Sequence, residues 1–337
     1  MSLFRTELRR LAKRRFTRWM TAGGLLVLAL IVVGLFFTNQ KIGPDQWAEA
    51  KRSADQQHQE QMQWAEQERA NCERAKAAGE NVDYYPPDCA EITGPPREAI
   101  EEKWFLPSTF VFRESFEEML IPLAGILAMV GFVVGASFVG AEWNTGGMMN
   151  LLLWRPKRLT VLLTKLGALL AGLLALAVPA TAAWFGSLWL VANWRGTTEG
   201  VTSGAWQSFL LTGLRGVVLV LVAATVGFAL ASLGRHTAMA LGGAVAVLIV
   251  GQVGLAILLS MAQVRFAQAW LLPTYAYSWM RKTVTLEDWR SCEATYTGEC
   301  KPAILELTWQ HSSVLFTVGV VLFLGAALWT MRRRDVA

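Results

Sequence analysis

Six uninterrupted apolar stretches, at 21–37, 119–140, 159–192, 208–232, 238–262 and 314–331, constrain this chain more than any other feature. A helix needs roughly 20 apolar residues to cross the hydrocarbon layer of a bilayer, and each stretch meets or approaches that length. In lipid every backbone polar group must find its partner inside the segment, and no alternation of period two points to a barrel, so the stretches are expected to be helices. The predicted fold class is therefore an all-α membrane protein with six transmembrane helices. Composition agrees: 53% of residues are hydrophobic and 17% charged, too apolar a balance for an ordinary soluble domain. The third stretch exceeds what a bilayer requires, so it is expected to begin outside the lipid, with a kink at Pro179.

Orientation follows from Lys and Arg, which are retained on the cytoplasmic side in short loops. Seven precede the first stretch, three lie in 155–158, Arg235 sits in the next turn and three close the chain at 332–334. The opposite side carries nine in 38–118, a loop too long for the rule to apply, with Arg195 and five more in 265–311. Both termini are expected in the cytoplasm of a multi-pass plasma-membrane protein. The residues after the first stretch, "FFTNQKIGPDQ", lack the small residues of a cleavage site, so that stretch reads as a retained anchor.

The expected organisation is a cytoplasmic amphipathic helix at 1–20, a first span at 21–37, an extracellular helical and coil region at 38–118, spans two to five within 119–262 enclosing a cytoplasmic loop at 141–158, a second extracellular region at 263–313, a sixth span at 314–331 and a cytoplasmic tail at 332–337. In the first segment Phe4, Leu8, Leu11, Phe16 and Trp19 form one apolar stripe among Arg and Lys, the pattern of a helix lying in anionic headgroups. So short a basic stretch favours membrane lipid over nucleic acid. Residues 45–79, rich in Ala, Gln, Glu and Lys, predict a long solvated helix, followed by coil in "YYPPDCAEITGPP". The aromatic "RFAQAWLLPTYAYSWM" suits a membrane interface. These outer regions either cap the mouth of the spans or meet an extracellular partner or substrate. Cys72 and Cys89 share the first of them, Cys292 and Cys300 the second, and pairing within each region closes the shorter rings; free thiols or a metal site are the alternatives.

Catalytic chemistry has little to stand on. No phosphate loop, zinc-hydrolase or serine-hydrolase motif occurs, and His58, His236 and His311 are scattered, so no catalytic residue, metal ligand or bound cofactor is assigned. Acids inside the spans are scarce, which weakens an ion-driven carrier and favours an energy source in another chain. The polar residues singled out within spans are Arg215 and Gln252. Arg215 is expected either to face the bundle interior, with Glu117, Glu118 or Gln252 as partners, or to snorkel outward.

Between spans two and three the order Glu142, Thr145-Gly146-Gly147, "LLLWRPKR" and Lys165-Leu166 resembles the first cytoplasmic loop of type-2 ABC transporter permeases, and "WTMRRRD" resembles their basic tail. Trp154 departs from that pattern, standing where a small polar residue is common, and the first outer loop is unusually long. The resemblance implies a non-catalytic permease subunit that pairs with a second permease, identical or homologous, and docks two cytoplasmic ATPase subunits holding ATP and magnesium. It further implies that the loop forms a short coupling helix seated in an ATPase groove. Met148, Met149 and Leu152 would supply an adaptable apolar face, Glu142 a charge, Thr145, Gly146 and Gly147 the turn, and Arg155 with Pro156 the end of the helix. The expected function is ATP-driven export of amphipathic or hydrophobic small molecules, peptides or lipids. The alternative is a membrane anchor or sensor whose ATPase drives an extracellular partner with no substrate crossing.

Overall fold

The computed structural model describes residues 3–79, 85–154, 157–289 and 302–333. Along the chain run α1 (Leu3–Lys13), α2 (Arg15–Thr38), α3 (Pro44–Ala78), β1 (Phe110–Val111), α4 (Phe112–Asn144), α5 (Gly147–Trp154), α6 (Arg158–Arg195), β2 (Gly196–Thr197), α7 (Ser203–Gly234), α8 (Thr237–Ala246), a π-helical segment Val247–Val253, α9 (Gly254–Met261), α10 (Leu272–Arg281), β3 (Thr283–Asp288), β4 (Ala303–Thr308) and α11 (Trp309–Arg333). Helices α2, α4, α6, α7, the continuous 237–261 helix and α11 are long and apolar enough to cross a membrane. This is an all-α multi-pass membrane protein.

The chain divides into two units. One comprises Met1–Val32, Arg113–Trp189 and Gly200–Ala337; the other comprises Val33–Phe112 and Leu190–Glu199.

The core of the larger unit forms where α4, α6 and α7 meet. Val134, Phe138, Leu162, Leu169 and Phe228 are buried there with Ala136, Ala224 and Ala231. Lipid tails are as apolar as leucine, so helices in a membrane associate through close packing rather than exclusion from water, and small residues permit it. Here a methyl group added at Gly135 of α4 would lie 2.4 Å from the carbonyl oxygen of Ala224, and one at Gly227 of α7 would lie 2.3 Å from that of Phe132. The two backbones therefore touch, and any side chain at either glycine would part them. About half of the most apolar window of α4 and α7 is buried, whereas none of that of the 237–261 helix is.

A short strand pair that hydropathy does not register joins the helices of this unit. In β3 the sequence "TVTLED" alternates β-branched and apolar residues with polar ones, and β3 pairs antiparallel with β4, Thr283 opposite Thr308. Helix α10 packs on α11, where the hydroxyls of the buried Ser278 and Ser312 are hydrogen-bonded at 2.5 Å.

In the smaller unit, α3 starts at Pro44 and ends at Gly79 in the left-handed conformation (φ 70°), whose amide donates to the carbonyls of Ala75 and Lys76. One face of α3, carrying Ala50, Ala54, Ala65 and Cys72, is buried. The following coil is held against the helix by the Cys72–Cys89 disulfide, by the Arg69 guanidinium donating to Ile92 O at 3.0 Å, and by Arg97 Nε pairing with Asp55 at 2.7 Å. β1 and β2 pair in parallel, with Phe110 opposite Gly196. Cys292 and Cys300 lie outside the described residues.

Candidate functional site

The end of the larger unit where α1, the last turn of α4, α5 and the first turns of α6 converge holds most of the charged groups buried in that unit. Its geometry begins with Gly146. Helix α4 closes as the Thr145 hydroxyl and amide both donate to Ala141 O and the Gly146 amide donates to Trp143 O. Gly146 then takes φ +72°, a conformation glycine enters without penalty, although a Cβ there would meet nothing within 4 Å. Conformation rather than space demands the glycine. Gly147 starts α5 immediately, so only the two turn residues Thr145 and Gly146 separate the two helices.

Beyond this turn the residues of α5 fall on three sides. Met148 and Leu152 are buried in the core cluster with Val161, Leu162 and Leu166. They were expected to form an apolar face open to a partner, and the structure instead packs them inward. Gly147, Asn150, Leu151 and Trp154 line a cavity, and Met149 and Leu153 point away from both. Leu153 and Trp154 are 81% and 87% exposed. Arg155 lies outside the described residues.

Glu142 is engaged within the chain. Its Oε2 sits 2.6 Å from Lys165 Nζ, and that ammonium also donates to Glu7 Oε2 at 2.7 Å. The side chains of Lys165 and Glu7 are fully buried and that of Glu142 is 14% exposed. Arg10 approaches the other oxygen of Glu7 at 3.3 Å, so the four groups sum to no net charge. The Phe138 ring lies beneath Lys165 Nζ at 5.3 Å and beneath the Arg14 guanidinium at 5.6 Å. Arg14 Nη1 also donates to the carbonyls of Ser137 and Phe138. These contacts tie α1, α4 and α6 together beside the α4–α5 turn. Leu11 reinforces them: a methyl at Gly172 of α6 would lie 2.5 Å from Leu11 Cδ2.

Sequence reasoning had not assigned Glu7 or Lys165. The signal was present, because Lys165 is an ammonium inside an apolar run and Glu7 is the one acid among the seven cations of the N-terminal segment. The apolar stripe of that segment is also divided: α1 ends before Arg14, and Phe16 and Trp19 belong to the exposed first turns of α2.

The cavity between α1 and α5 has a volume of about 800 Å³. Arg9, Arg10, Lys13 and Arg14 line one wall; α5 and Glu142 line the other.

Arg215 is not brought to this site. Its Nη1 is buried with no hydrogen-bond partner among the described residues, the guanidinium lies 5.7 Å from the Trp309 ring centre, and its carbonyl accepts from Trp279 Nε1 at 2.9 Å. Of the partners expected for it, Glu117 lies near enough to attract its charge, whereas Glu118 pairs with Arg281 at 2.8 Å and Gln252 Oε1 accepts from the Leu272 amide at 2.6 Å. Arg281 holds its proton more firmly than an ordinary arginine, chiefly through its hydrogen bond to the Tyr277 hydroxyl.

A family model described as ABC-2 family transporter protein matches residues 1–336. No curated protein matches the chain significantly. Members of that family are generally non-catalytic transmembrane subunits that associate with an ABC ATPase. The turn at Gly146, the short helix that follows it and the six spans thus fall within one family match covering nearly the whole chain, and the chain belongs to the ABC-2 transporter family as the transmembrane subunit of an ABC transporter.

Proposed function

We propose that this subunit carries amphipathic or hydrophobic small molecules, peptides or lipids out of the cell, driven by two ATPase copies that bind ATP and magnesium and dock on α5. The observation that supports this reading most is the outward edge of α5, where Met149 is exposed and Leu153 almost fully so, in the loop between two spans. A large apolar edge outside the lipid calls for a protein partner. Met149 and Leu153 are the contacts assigned to the ATPase. Met148 and Leu152 act as the base that holds α5 on the bundle, and Glu142 fixes its entry through Lys165. Gly146 and Thr145 set the turn into α5. In this reading the α5 end and both termini face the cytoplasm, in keeping with the basic residues gathered there. The unburied 237–261 helix is the surface available to a second permease, identical or homologous.

A second reading keeps the ATPase but replaces transport with force on an extracellular partner. Helix α3 favours it, since its solvent-facing side carries the exposed Trp47 and Trp64 and is stiffened by the disulfide.

The α5 edge is tested with a Met149→Asp, Leu153→Asp variant, co-purified with its ATPase and assayed for transport after reconstitution. The variant is expected to insert and purify normally while losing the ATPase. Retention of the ATPase together with parental transport would overturn the docking assignment. ATPase activity of the parental complex against a panel of amphipathic compounds separates the two readings: stimulation by a transported compound supports export.

A further inference from the structure

The basic cavity between α1 and α5 has no counter-charge of its own. Its lining acid, Glu142, is held by Lys165, and the acid of α1, Glu7, is buried on the same ammonium. Arg10 and Arg14 each use one nitrogen inside the chain, on Glu7 and on backbone carbonyls. The side chains of Arg9 and Lys13 make neither an ion pair nor a hydrogen bond with any described residue, and both are exposed. Four cations thus face one concavity, and three of them, Arg9, Lys13 and Arg14, have no carboxylate among the described residues to balance them. The opposite wall supplies the Asn150 amide and the exposed indole of Trp154, a polar group beside an amphipathic ring.

Depth identifies the occupant. Helix α4 has 33 residues, about 50 Å at 1.5 Å per residue, against a hydrocarbon core of about 30 Å, so its last turns, with Glu142, emerge into the headgroup layer. Helix α2 enters the membrane from Arg15, directly after the cavity residue Arg14. The cavity therefore opens at the level of lipid phosphates, which surround it at high local concentration whether or not a protein partner is docked. We propose that it is a discrete binding site for the headgroup of one anionic phospholipid, its phosphate held by Arg9 and Lys13 with Arg10 and Arg14 behind them, and the rest of the headgroup against Asn150 and Trp154. This goes beyond diffuse attraction of a basic helix to a charged surface, and it does not depend on α5 docking an ATPase.

The test uses the full chain purified in mild detergent, incubated with equal amounts of phosphatidylglycerol and phosphatidylcholine, with bound lipids counted by native mass spectrometry. The parental chain is expected to retain one phosphatidylglycerol in preference to phosphatidylcholine. Arg9→Gln should reduce that occupancy about fivefold, the worth of one cation near an anionic surface, and Arg9→Lys should largely preserve it. Arg5→Gln removes the same charge from the same helix away from the cavity and should leave occupancy unchanged. If Arg9→Gln does not purify as a single species, Lys13→Gln is compared with Arg5→Gln in its place. Equal losses at positions 5 and 9, or no headgroup preference in the parental chain, would reduce the site to diffuse attraction and overturn the proposal. Undiminished lipid retention in Arg9→Gln together with loss of the co-purified ATPase would overturn it in favour of an acidic ATPase segment.

Discussion

Two cations interrupt the apolar helices of this permease, and their surroundings could hardly differ more. Lys165 is fully buried, with a carboxylate on either side and an aromatic ring beneath, and its ligands come from α1 and α4. Arg215 has a guanidinium nitrogen with no partner among the described residues and rests against Trp309. An ion placed in a low-dielectric interior is costly unless its charge is matched and its hydrogen bonds are filled. Lys165 meets both conditions, so it behaves as a structural junction. Arg215 meets them incompletely, which is the mark of a group kept for something other than stability.

Breaking the first site should have the largest consequence. Lys165→Met leaves Glu7 buried without its ammonium, and removal of one member of a buried pair typically costs about 3–5 kcal/mol. The variant should unfold at lower temperature and lose purified yield, and adding Glu7→Gln should recover much of the loss. A Lys165→Met chain as stable as the parent would make the junction irrelevant to the fold. Glu142→Gln is milder, because Glu142 is partly solvated and Glu7 remains on the lysine; about 1–2 kcal/mol is expected. Its thermal shift should be clearly smaller than that of Glu7→Gln, and the reverse order would contradict the burial of the two acids. Arg215→Leu should change stability least, by well under 1 kcal/mol or even favourably, since it removes a charge with an unfilled hydrogen bond. If it lowered thermal stability as far as Lys165→Met, the contrast between the sites would fail; if transport also stayed at the parental rate, no role would remain for the charge.

The same contrast explains what could be read in the sequence. Spans were legible because apolar length is a local property: each predicted stretch lies almost entirely within a long helix. Their ends were not, since hydrogen bonding continues where hydrophobicity stops. Helix α4 begins at Phe112 rather than near 119, and its first turns carry Arg113, Glu114, Glu117 and Glu118. The turn chemistry of Thr145-Gly146-Gly147 was likewise local. Which side of α5 faces inward was not, because an eight-residue helix with apolar residues on every side gives no preferred direction until α6 and α1 are in place. The Lys165–Glu7 contact joins residues 158 positions apart, and no spacing rule reaches so far. A lone ammonium in an apolar run nevertheless demands a carboxylate, and a search for the nearest unexplained acid would have led to the N-terminal helix.

Gln252 has a consequence for how this chain tolerates insertions and deletions. It lies in the π-helical segment of the 237–261 helix, where each turn holds more residues than an α-helical one and later side chains are displaced around the axis relative to a regular wheel. Deleting one residue between 247 and 253 is therefore an edit this helix can absorb by reverting to regular α geometry, whereas the same deletion in α4 or α7 would rotate Gly135 or Gly227 off its contact and force the helices apart. Alignments of related chains should accordingly place single-residue gaps in the fifth span and exclude them from the second and fourth.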